Sequence, residues 1–346
     1  MRALTYHGPG RRTWGDVPDP VIREPEDAVV RVDAVTICGT DLHILKGDVP
    51  EVTEGRILGH EAVGTVVQTG SAVRTVTAGD RVLVSCISAC GRCADCRAAA
   101  YGQCTGGGGW ILGHLVDGTQ AEFVRTPFAD NSLHRLPATV SDDRALLLAD
   151  ILPTAYEVGV RNGRVAPGDT VAVLGAGPIG LAAVLTARLY SPGRIIAVDT
   201  DRNRLDAAEQ AGATDVLDAA ATDDEIRRLT PDGRGVDVAV EAVGIPETFE
   251  RCTRIVRPGG RVANVGVHGR PAVLHLEDLW IRNLTITTGL VDTSTTPLLL
   301  RMLAAGSLDV GGLITHRFGL DEMQDAYDVF SEAAASGALK VALFRT

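Results

Sequence analysis

The hydrophobic and polar positions of this chain follow two patterns, which change near residue 165. Over the first 150 residues, short β-branched runs such as DAVVRVDAVTI and VGTVVQTG are separated by proline, glycine and polar residues. That alternation is typical of short β-strands joined by loops. From Thr170, apolar runs such as TVAVL, RIIAVD and VDVAVEAVG alternate with helix-like stretches. The second pattern predicts an α/β domain with a doubly wound parallel sheet of about six strands.

The final segment, residues 291–346, mixes both kinds of element. PLLLRMLAAG and MQDAYDVFSEAAASG predict amphipathic helices, and KVALF predicts a closing strand. A chain of 346 residues is long enough for two domains of ordinary size with a large buried core. We therefore predict a β-rich, barrel-like domain in addition to the α/β domain.

Charge and apolar content exclude several classes of function. The formal net charge of −11 argues against a sequence-independent grip on nucleic acid, which requires a basic face. The N-terminus MRALTYHGPGRR has no apolar signal region, and the longest apolar run is too short and too broken by glycine and proline to span a bilayer. We therefore expect a reduced, cytoplasmic protein without membrane or nucleic-acid partners. In that compartment clustered cysteines are more often metal ligands than disulfides.

Four cysteines form one such cluster with the spacing C-x2-C-x2-C-x7-C: Cys90, Cys93, Cys96 and Cys104. A disulfide knot is one alternative, but it does not suit the cytoplasm. An iron–sulfur cluster is a second alternative, although the bacterial ferredoxin run continues with x3-C-P, which this loop lacks. A tetrahedral zinc site fits best, and four thiolate ligands would leave the zinc no open position. The cluster therefore predicts a structural zinc.

The glycine-rich turn after TVAVL predicts a dinucleotide site in a Rossmann fold. Its residues fit G-x-G-x-x-G, with a strand before and a helix after: Gly175, Ala176, Gly177, Pro178, Ile179 and Gly180. The alternative is a glycine-rich turn without a ligand. Asp199 ends the next strand, where its carboxylate can accept hydrogen bonds from ribose hydroxyls and repel a 2′-phosphate. The sequence therefore predicts NAD, although Arg202 and Arg204 can each reach a phosphate or lie on a solvated helix face.

A second set of polar residues is divided among three motifs. ICGTDLH contains Cys38, Thr40, Asp41 and His43; GHEAVG contains His60 and Glu61; ADILPT contains Asp150. With the four-cysteine loop and the downstream GAGPIG, these motifs resemble the zinc-dependent alcohol dehydrogenases of the medium-chain dehydrogenase/reductase superfamily. The aspartate at position 150, where many members have cysteine, resembles the bacterial secondary-alcohol dehydrogenases. The likeness covers nearly the whole chain.

The resemblance implies a domain plan. A GroES-like β-barrel catalytic domain over residues 1–152 would include a zinc lobe at 86–110. A Rossmann coenzyme domain would follow over 153–290, and residues 291–346 would return to the catalytic domain. The family also favours a homotetramer, or otherwise a dimer joined through the edges of the coenzyme domains.

The resemblance further implies a catalytic zinc held by Cys38, His60 and Asp150, with Glu61 either beside these ligands or as an occasional ligand. Asp41 would orient His60 through the other ring nitrogen, the usual role of such a carboxylate. The zinc would act as a Lewis acid on the oxygen of an alcohol whose hydride passes to the nicotinamide. Read without the family, Asp150 is a candidate helix N-cap.

Other roles come from the same resemblance. Thr40 and His43 would carry the hydroxyl proton away through the coenzyme ribose, although His43 can also be an ordinary surface histidine. Gly39 departs from members that place a basic residue there. Further coenzyme contacts are implied at five positions, namely Thr154, Arg204, Val265, Leu290 and Lys340, the last as a pyrophosphate contact.

The substrate is the least determined property. Trp110, Leu290 and residues near Ile87 would line an apolar pocket that suits small, secondary or aromatic alcohols, although Trp110 can equally be packing beneath the zinc lobe. Polyol and amino-alcohol dehydrogenases share all these motifs. Two further alternatives are a zinc-free quinone reductase of the same superfamily and a non-enzymatic, zinc-stapled nucleotide-sensing module.

Overall fold

The computed structural model describes residues 1–345 and separates into two compact units. The first unit comprises Met1–Pro153 and Val291–Thr346, and the second comprises Thr154–Leu290. Within the described residues the strands are β1 Arg2–Tyr6, β2 Arg12–Asp16, β3 Ala28–Thr36, β4 Ala62–Thr69, β5 Arg81–Val84, β6 Phe123–Thr126, β7 Leu133–Arg135, β8 Thr170–Leu174, β9 Arg194–Asp199, β10 Asp215–Asp218, β11 Val236–Glu241, β12 Val256–Asn264, β13 Thr285–Thr288, β14 Ile314–Gly319 and β15 Lys340–Phe344.

The α-helices are short, none longer than 10 residues within the described part of the chain. They are α1 Gly39–Lys46, α2 Ala94–Arg97, α3 Ala129–Ser132, α4 Asp142–Leu146, α5 Ile151–Thr154, α6 Pro178–Ala187, α7 Arg202–Ala211, α8 Asp223–Arg228, α9 Pro246–Ile255, α10 Leu276–Leu279, α11 Thr296–Ala304, α12 Met323–Ser331 and α13 Ala333–Ser336. Ala155–Arg161 continues α5 as π-helix, and 3-10 turns lie at Tyr101–Gln103, Arg188–Tyr190, Trp280–Arg282 and Leu320–Glu322. Across residues 1–345, every helix is too short or too polar to span a bilayer.

The first unit is built on a mixed, mainly antiparallel sheet. Its strands follow the order β14-β15-β3-β4-β5-β7, and β6 also pairs with β3, while β1 and β2 form a separate pair. Only β14 and β15 run parallel. The predicted β-rich domain is confirmed. Over residues 1–345 these pairs form an open path whose end strands, β14 and β7, do not pair with each other; a barrel-like domain does not require that closure.

The second unit contains a six-stranded sheet in which every neighbouring pair is parallel. The order β10-β9-β8-β11-β12-β13 is that of a complete dinucleotide fold, so the predicted doubly wound sheet is confirmed. All five residues of β8 are buried, as expected for a strand covered on both faces. The strand order reverses between β8 and β11, and ligands of such folds bind beyond the strand ends at that point.

Each unit has its own apolar core. In the second unit, β8, β9, β11 and β12 supply buried residues such as Ala172, Ile196 and Val262, against which α9 packs Cys252 and Ile255. In the first unit, the core side chains of β3, β4 and β5 meet side chains from the end of the chain. These late residues are Met323, Tyr327, Phe330, Val341 and Leu343. The last segment is therefore part of the first unit's interior.

Candidate functional site

The four clustered cysteines lie together in one loop of the first unit. Their sulfur atoms lie within 4.8 Å of one another. Three backbone N–H groups donate to these sulfurs, each at 3.4 Å: Cys93 to Cys90, Cys96 to Cys93, and Cys90 to Cys104. All seven cysteines of the chain are free thiols. The disulfide alternative therefore finds no support in the geometry.

The electrostatics of this loop suit a cation. The N–H of Cys96 and the hydroxyl of Thr105 lower the pKa of Cys93 to about 5. Burial and the neighbouring thiols raise the pKa of Cys96 to about 12. Unaided, the loop holds some thiols charged and others neutral, because four adjacent negative charges repel one another. A divalent ion would remove that conflict, so the donor set fits zinc.

Close backbone approach shapes the loop around the sulfurs. A Cβ atom at Gly106 would lie 2.5 Å from the Cys90 sulfur, and one at Gly108 would lie 2.3 Å from the Ser88 carbonyl oxygen. The N–H of Gly102 donates to Asp292 at 2.9 Å, which ties the loop to the returning segment of the same unit. Glycine is therefore needed at two positions that the cysteine spacing does not identify.

A second donor cluster brings together Cys38, His60, Glu61 and Asp150, with donor atoms within 4.8 Å of one another. Cys38 precedes α1, the pair His60 and Glu61 precedes β4, and Asp150 precedes α5. Asp150 Oδ2 lies 3.6 Å from the Cys38 sulfur and 3.4 Å from His60 Nε2. The three predicted ligands of the catalytic zinc thus share one buried point of the first unit.

Glu61 takes part in a buried ion pair while it lies beside the other donors. Its Oε1 accepts a hydrogen bond from the Lys340 ammonium at 2.7 Å, and both side chains are about 1% exposed. The Thr36 hydroxyl donates to the other oxygen. Glu61 Oε1 still lies 4.0 Å from His60 Nε2. Lys340 is therefore placed against Glu61 inside the first unit, and its contact with a pyrophosphate stays a prediction.

The buried charges of this cluster also call for a cation. Burial raises the pKa of the Cys38 thiol and the pKa of the Glu61 carboxyl, although Lys340 opposes both shifts. Burial lowers the pKa of His60, but the Asp150 and Cys38 side chains outweigh it, and the pKa is raised well above the usual value. The raised pKa of His60 reflects its close contact with the Asp150 and Cys38 side chains, which favour a positive charge at this point.

Two orphaned atoms provide a further test of the metal fit. Asp41 Oδ1 and His60 Nδ1 are both buried, and neither has a hydrogen-bond partner within residues 1–345. They face each other at 3.9 Å, which is too long for a hydrogen bond. A metal-bound histidine usually donates its other ring N–H to a carboxylate. The arrangement fits a metal on His60 Nε2 and places Asp41 beside the correct nitrogen.

The two predicted relay residues lie on α1. The Thr40 hydroxyl is 3.6 Å from the Cys38 sulfur, so it borders the donor cluster. His43 is one-third exposed, and its Nδ1 lies 2.8 Å from Asp48 Oδ2. Thr40 therefore lies at the donor cluster and His43 towards solvent, where its pairing also suits the alternative of an ordinary surface histidine. The relay itself stays a prediction.

The glycine-rich turn of the second unit connects β8 to α6. Gly175 has a φ of 97°, which favours glycine, and a Cβ at Gly180 would lie 1.8 Å from the Gly175 carbonyl oxygen. Gly177 precedes the first residue of α6, and a Cβ there would meet nothing within 4 Å. Pro178 and Ile179 form the first turn of the helix. The open space at Gly177 lies where an anion can approach the helix N-terminus.

Asp199 lies at the end of β9, beside this turn. Its Oδ2 accepts the N–H of Ala176 at 2.7 Å, and its Oδ1 accepts the N–H of Asp201 at 2.9 Å. Arg204 lies 4.0 Å from Asp199 Oδ2, whereas Arg202 pairs with Asp206 on α7. Asp199 is therefore fixed next to the glycine turn, and of the two arginines only Arg204 is beside it.

The remaining predicted contacts fall in different places. In the second unit, Thr154 ends α5, Val265 follows β12 and is half-buried, and Leu290 is exposed. In the first unit, Ile87 is buried, and Trp110 stacks on His114 at 4.3 Å between ring centroids. Trp110 also presents its edge to His60 at 6.2 Å. Trp110 therefore lies beside the donor cluster while also packing against its own loop.

Three residues near the donor cluster escaped the sequence reasoning. The Cys86 sulfur lies 3.7 Å from Asp150 Oδ1, and Gln120 and Tyr327 connect to Asp41 through hydrogen bonds. A cysteine just before the four-cysteine loop is a visible signal for Cys86. Gln120 and Tyr327 have no motif of their own, because only the folded chain brings them to the site.

Comparison with known proteins identifies the family. The alcohol dehydrogenase GroES-like domain model matches residues 24–138, and the zinc-binding dehydrogenase model matches residues 178–305. An alcohol dehydrogenase of Cupriavidus necator is 38% identical over 99% of this chain and 98% of its own length. The NADP-dependent isopropanol dehydrogenase of Thermoanaerobacter brockii is 36% identical over 94% of this chain and 95% of its own.

A solved structure agrees with these relatives. The zinc-dependent alcohol dehydrogenase 2 of Streptococcus pneumoniae, in its apo form, superimposes with a TM-score of 0.96 and 50% sequence identity, covering 100% of this chain and 98% of that one. The two donor clusters, the parallel sheet and the relatives point the same way. This chain belongs to the zinc-dependent alcohol dehydrogenases of the medium-chain dehydrogenase/reductase superfamily.

Proposed function

We propose that this alcohol dehydrogenase binds two zinc ions per chain. It would use NAD to oxidise a small, secondary or aromatic alcohol to a ketone or aldehyde, and the reaction would be reversible. The observation that carries the proposal is the buried cluster of Cys38, His60 and Asp150. These side chains supply three donors around one point. A catalytic zinc needs three protein ligands and one position left for the substrate.

Each residue of the cluster has a separate task in the proposal. Bound there, the zinc would supply Lewis acidity towards the oxygen of the substrate. Asp41 would hold the His60 ring in the orientation that leaves Nε2 for the metal. Thr40 would accept the hydroxyl proton, because a hydroxyl both donates and accepts, and His43 would deliver it to solvent. The ion pair with Lys340 keeps Glu61 close to the donors without making it a required ligand.

The second zinc would occupy the cluster of Cys90, Cys93, Cys96 and Cys104. Four thiolates complete a tetrahedral shell, so this metal would stabilise the loop and take no part in the reaction. The backbone N–H groups that point at three of the sulfurs support thiolate ligands.

The choice of NAD rests on Asp199. Its carboxylate is fixed at the glycine turn by two backbone N–H groups and would repel a 2′-phosphate. The relative from Thermoanaerobacter brockii is named NADP-dependent, and Arg204 beside Asp199 is the residue that would favour such a coenzyme here. Gly175, Gly177 and Gly180 would receive the pyrophosphate, with Thr154, Val265, Leu290 and Lys340 as further coenzyme contacts.

The exposed apolar surface supports a homo-oligomer, for which we propose a tetramer. In the second unit β13 is the edge strand of the parallel sheet. The preceding stretch exposes large apolar side chains, including Leu276, Trp280 at 73% and Ile281 at 68%. Exposed apolar patches of this kind mark protein interfaces, and a second copy of the chain would cover this one. The seven free thiols suit the proposed cytoplasmic location.

Two measurements test the proposed function. Zinc content should be about two per chain, as one structural and one catalytic site require. A panel of primary alcohols, secondary alcohols, diols, polyols and amino-alcohols, assayed with NAD and with NADP, should show the highest kcat/KM for a small secondary or aromatic alcohol with NAD. A higher value for a polyol or an amino-alcohol would favour that alternative, and absence of any dehydrogenase activity would contradict the proposal.

A further inference from the structure

Asp41 is anchored through one oxygen, and the other oxygen faces a metal ligand. Asp41 is about 1% exposed. Its Oδ2 accepts the backbone N–H of Cys38 at 2.9 Å and the side-chain N–H of Gln120 at 2.9 Å. Its Oδ1 faces His60 Nδ1. The position of Oδ1, and with it the orientation of the His60 ring, therefore depends on what holds Oδ2.

The Gln120 amide has only one orientation that its neighbours allow. Its Nε2 donates to Asp41 and also lies 3.3 Å from the Thr36 carbonyl oxygen, while its Oε1 accepts the Tyr327 hydroxyl at 2.7 Å. A flipped amide would point its oxygen at a carboxylate and a carbonyl, neither of which can donate. Gln120 and its three partners are all buried. Gln120 is thus a fully bonded link between Tyr327 and Asp41.

Tyr327 connects Gln120 to helix α12, near the end of the chain. It lies on α12, is about 1% exposed, and points its hydroxyl inwards to Gln120. The Arg12 guanidinium covers the ring at 4.7 Å from its centroid and pairs with Asp328 on the same helix. A cation over the ring holds it in place from outside. The Tyr327 side chain is therefore held by Arg12 at its ring and by Gln120 at its hydroxyl.

We propose that Gln120 and Tyr327 are positioning residues for the catalytic metal, acting through Asp41 on His60. The proposal rests on the proposed metal site at Cys38, His60 and Asp150. Successive hydrogen bonds in a buried, low-dielectric setting polarise and stiffen one another. The chain from Tyr327 to Gln120 to Asp41 would keep the carboxylate aimed at His60 Nδ1. Helix α12, far along the sequence, would thereby influence how tightly the metal is held.

The test compares two substitutions in this chain with one outside it. Tyr327→Phe removes a hydroxyl and keeps the ring, and Gln120→Met removes the amide and keeps the length. Tyr156→Phe is the matched control, because Tyr156 is a buried tyrosine of the second unit whose hydroxyl meets Tyr190 at 3.1 Å. The readouts are the rate at which a chelator removes the catalytic zinc and the ligand-field absorption bands after exchange with cobalt(II).

Loss of an outer partner of a metal ligand typically weakens metal binding about 10- to 100-fold. We expect zinc release to accelerate by that factor in Gln120→Met and by about 3- to 10-fold in Tyr327→Phe, which is one bond further away. The cobalt bands should shift in both and remain unchanged in Tyr156→Phe. A merely structural role would lower thermal stability in all three variants without moving the cobalt bands.

Several results would overturn the inference. If the parent protein binds the catalytic metal but Tyr327→Phe and Gln120→Met keep its release rate and its cobalt bands, only this inference fails. If Gln120→Met does not fold, the zinc release rate and the cobalt bands of Tyr327→Phe alone decide whether the inference holds. If the parent takes up only one metal per chain, the proposed function fails as well.

Discussion

The two donor clusters of the first unit contain related ligands but are built in opposite ways. Cys90 and Cys104, the ends of the four-cysteine cluster, are 14 positions apart in one loop. In the proposed catalytic cluster Cys38 and Asp150 are 112 positions apart, and the Lys340 that pairs with Glu61 is 279 positions away from it. One cluster is a product of local chain geometry, whereas the other requires several parts of the unit to be folded.

This difference determines what each cluster can tolerate. Closing a short loop costs little chain entropy, so a metal can organise the four-cysteine loop largely by itself. The donors of the proposed catalytic site come from the residues just before α1, β4 and α5, which are positioned by the sheet and its core. The cluster of Cys38, His60 and Asp150 is therefore sensitive to changes in distant segments, whereas the four-cysteine cluster depends mainly on its own cysteines and glycines, with one distant tie from Gly102 to Asp292.

The largest effect should come from the local cluster. Cys96→Ser removes one of four thiolates, and such sites contribute roughly 10 to 16 kcal/mol of apparent binding free energy in small peptides. We expect zinc content to fall from about two per chain to about one and thermal stability to drop. Metal analysis and a melting curve measure both. The control is Cys252→Ser, a buried cysteine on α9 outside both clusters, which should keep the zinc. Unchanged zinc in Cys96→Ser would rule out the structural site.

Asp150→Ala tests the assembled cluster. Lewis-acid assistance is worth several kcal/mol, so losing a zinc ligand should cut kcat/KM for alcohol oxidation by at least about 1,000-fold, or about 4 kcal/mol, and weaken binding of the proposed catalytic zinc. The alternative role of Asp150 as a helix N-cap would cost only about 1 kcal/mol of stability.

The matched control for Asp150 is Asp201→Ala, since Asp201 caps α7 by accepting the N–H of Asn203. It should lose stability by about the amount expected for a cap and keep both zincs. A folded Asp150→Ala protein with two zincs and near-normal turnover would show that Asp150 is not a required ligand.

Lys340→Met tests whether the distant segment supports the assembled cluster. Removing one partner of a buried ion pair costs about 3 kcal/mol or more, because the other charge is left buried alone. We expect the free energy of unfolding, measured by denaturant titration, to fall by that amount. Adding Glu61→Gln should restore much of it, since the remaining side chain is then neutral. A Lys340→Met protein as stable as the parent would mean that Glu61 needs no partner.

The smallest expected effect is on coenzyme preference, which depends on the second unit and should leave both donor clusters unchanged. Asp199→Asn keeps the size of the side chain and removes its charge, which at about 4 Å from a phosphate is worth roughly 1 to 4 kcal/mol. We expect the ratio of kcat/KM for NAD to that for NADP to fall by about 10-fold while zinc content stays the same. Asp201→Asn, two residues further on, should leave the ratio unchanged. A parent enzyme that already prefers NADP would show that Arg204 dominates.

The sequence alone was sufficient for the fold class and for features encoded over short distances. Apolar runs alternating with helix-like stretches predicted the six parallel strands from β8 to β13, because strand and helix periodicity are local properties of the chain. The spacing from Cys90 to Cys104 grouped four donors that the structure brings together. The GAGPIG turn and Asp199 were placed by counting residues along one βαβ unit.

Only the tertiary structure decided the remaining features. The order of the first sheet depends on pairing between strands far apart in the chain, and within residues 1–345 its two ends are β14 and β7. No spacing rule brings Lys340 to Glu61, Cys86 to Asp150, or Tyr327 through Gln120 to Asp41. These contacts arise because the buried core of the first unit draws the end of the chain against its beginning, and burial then forces each polar group to find whichever partner lies nearby.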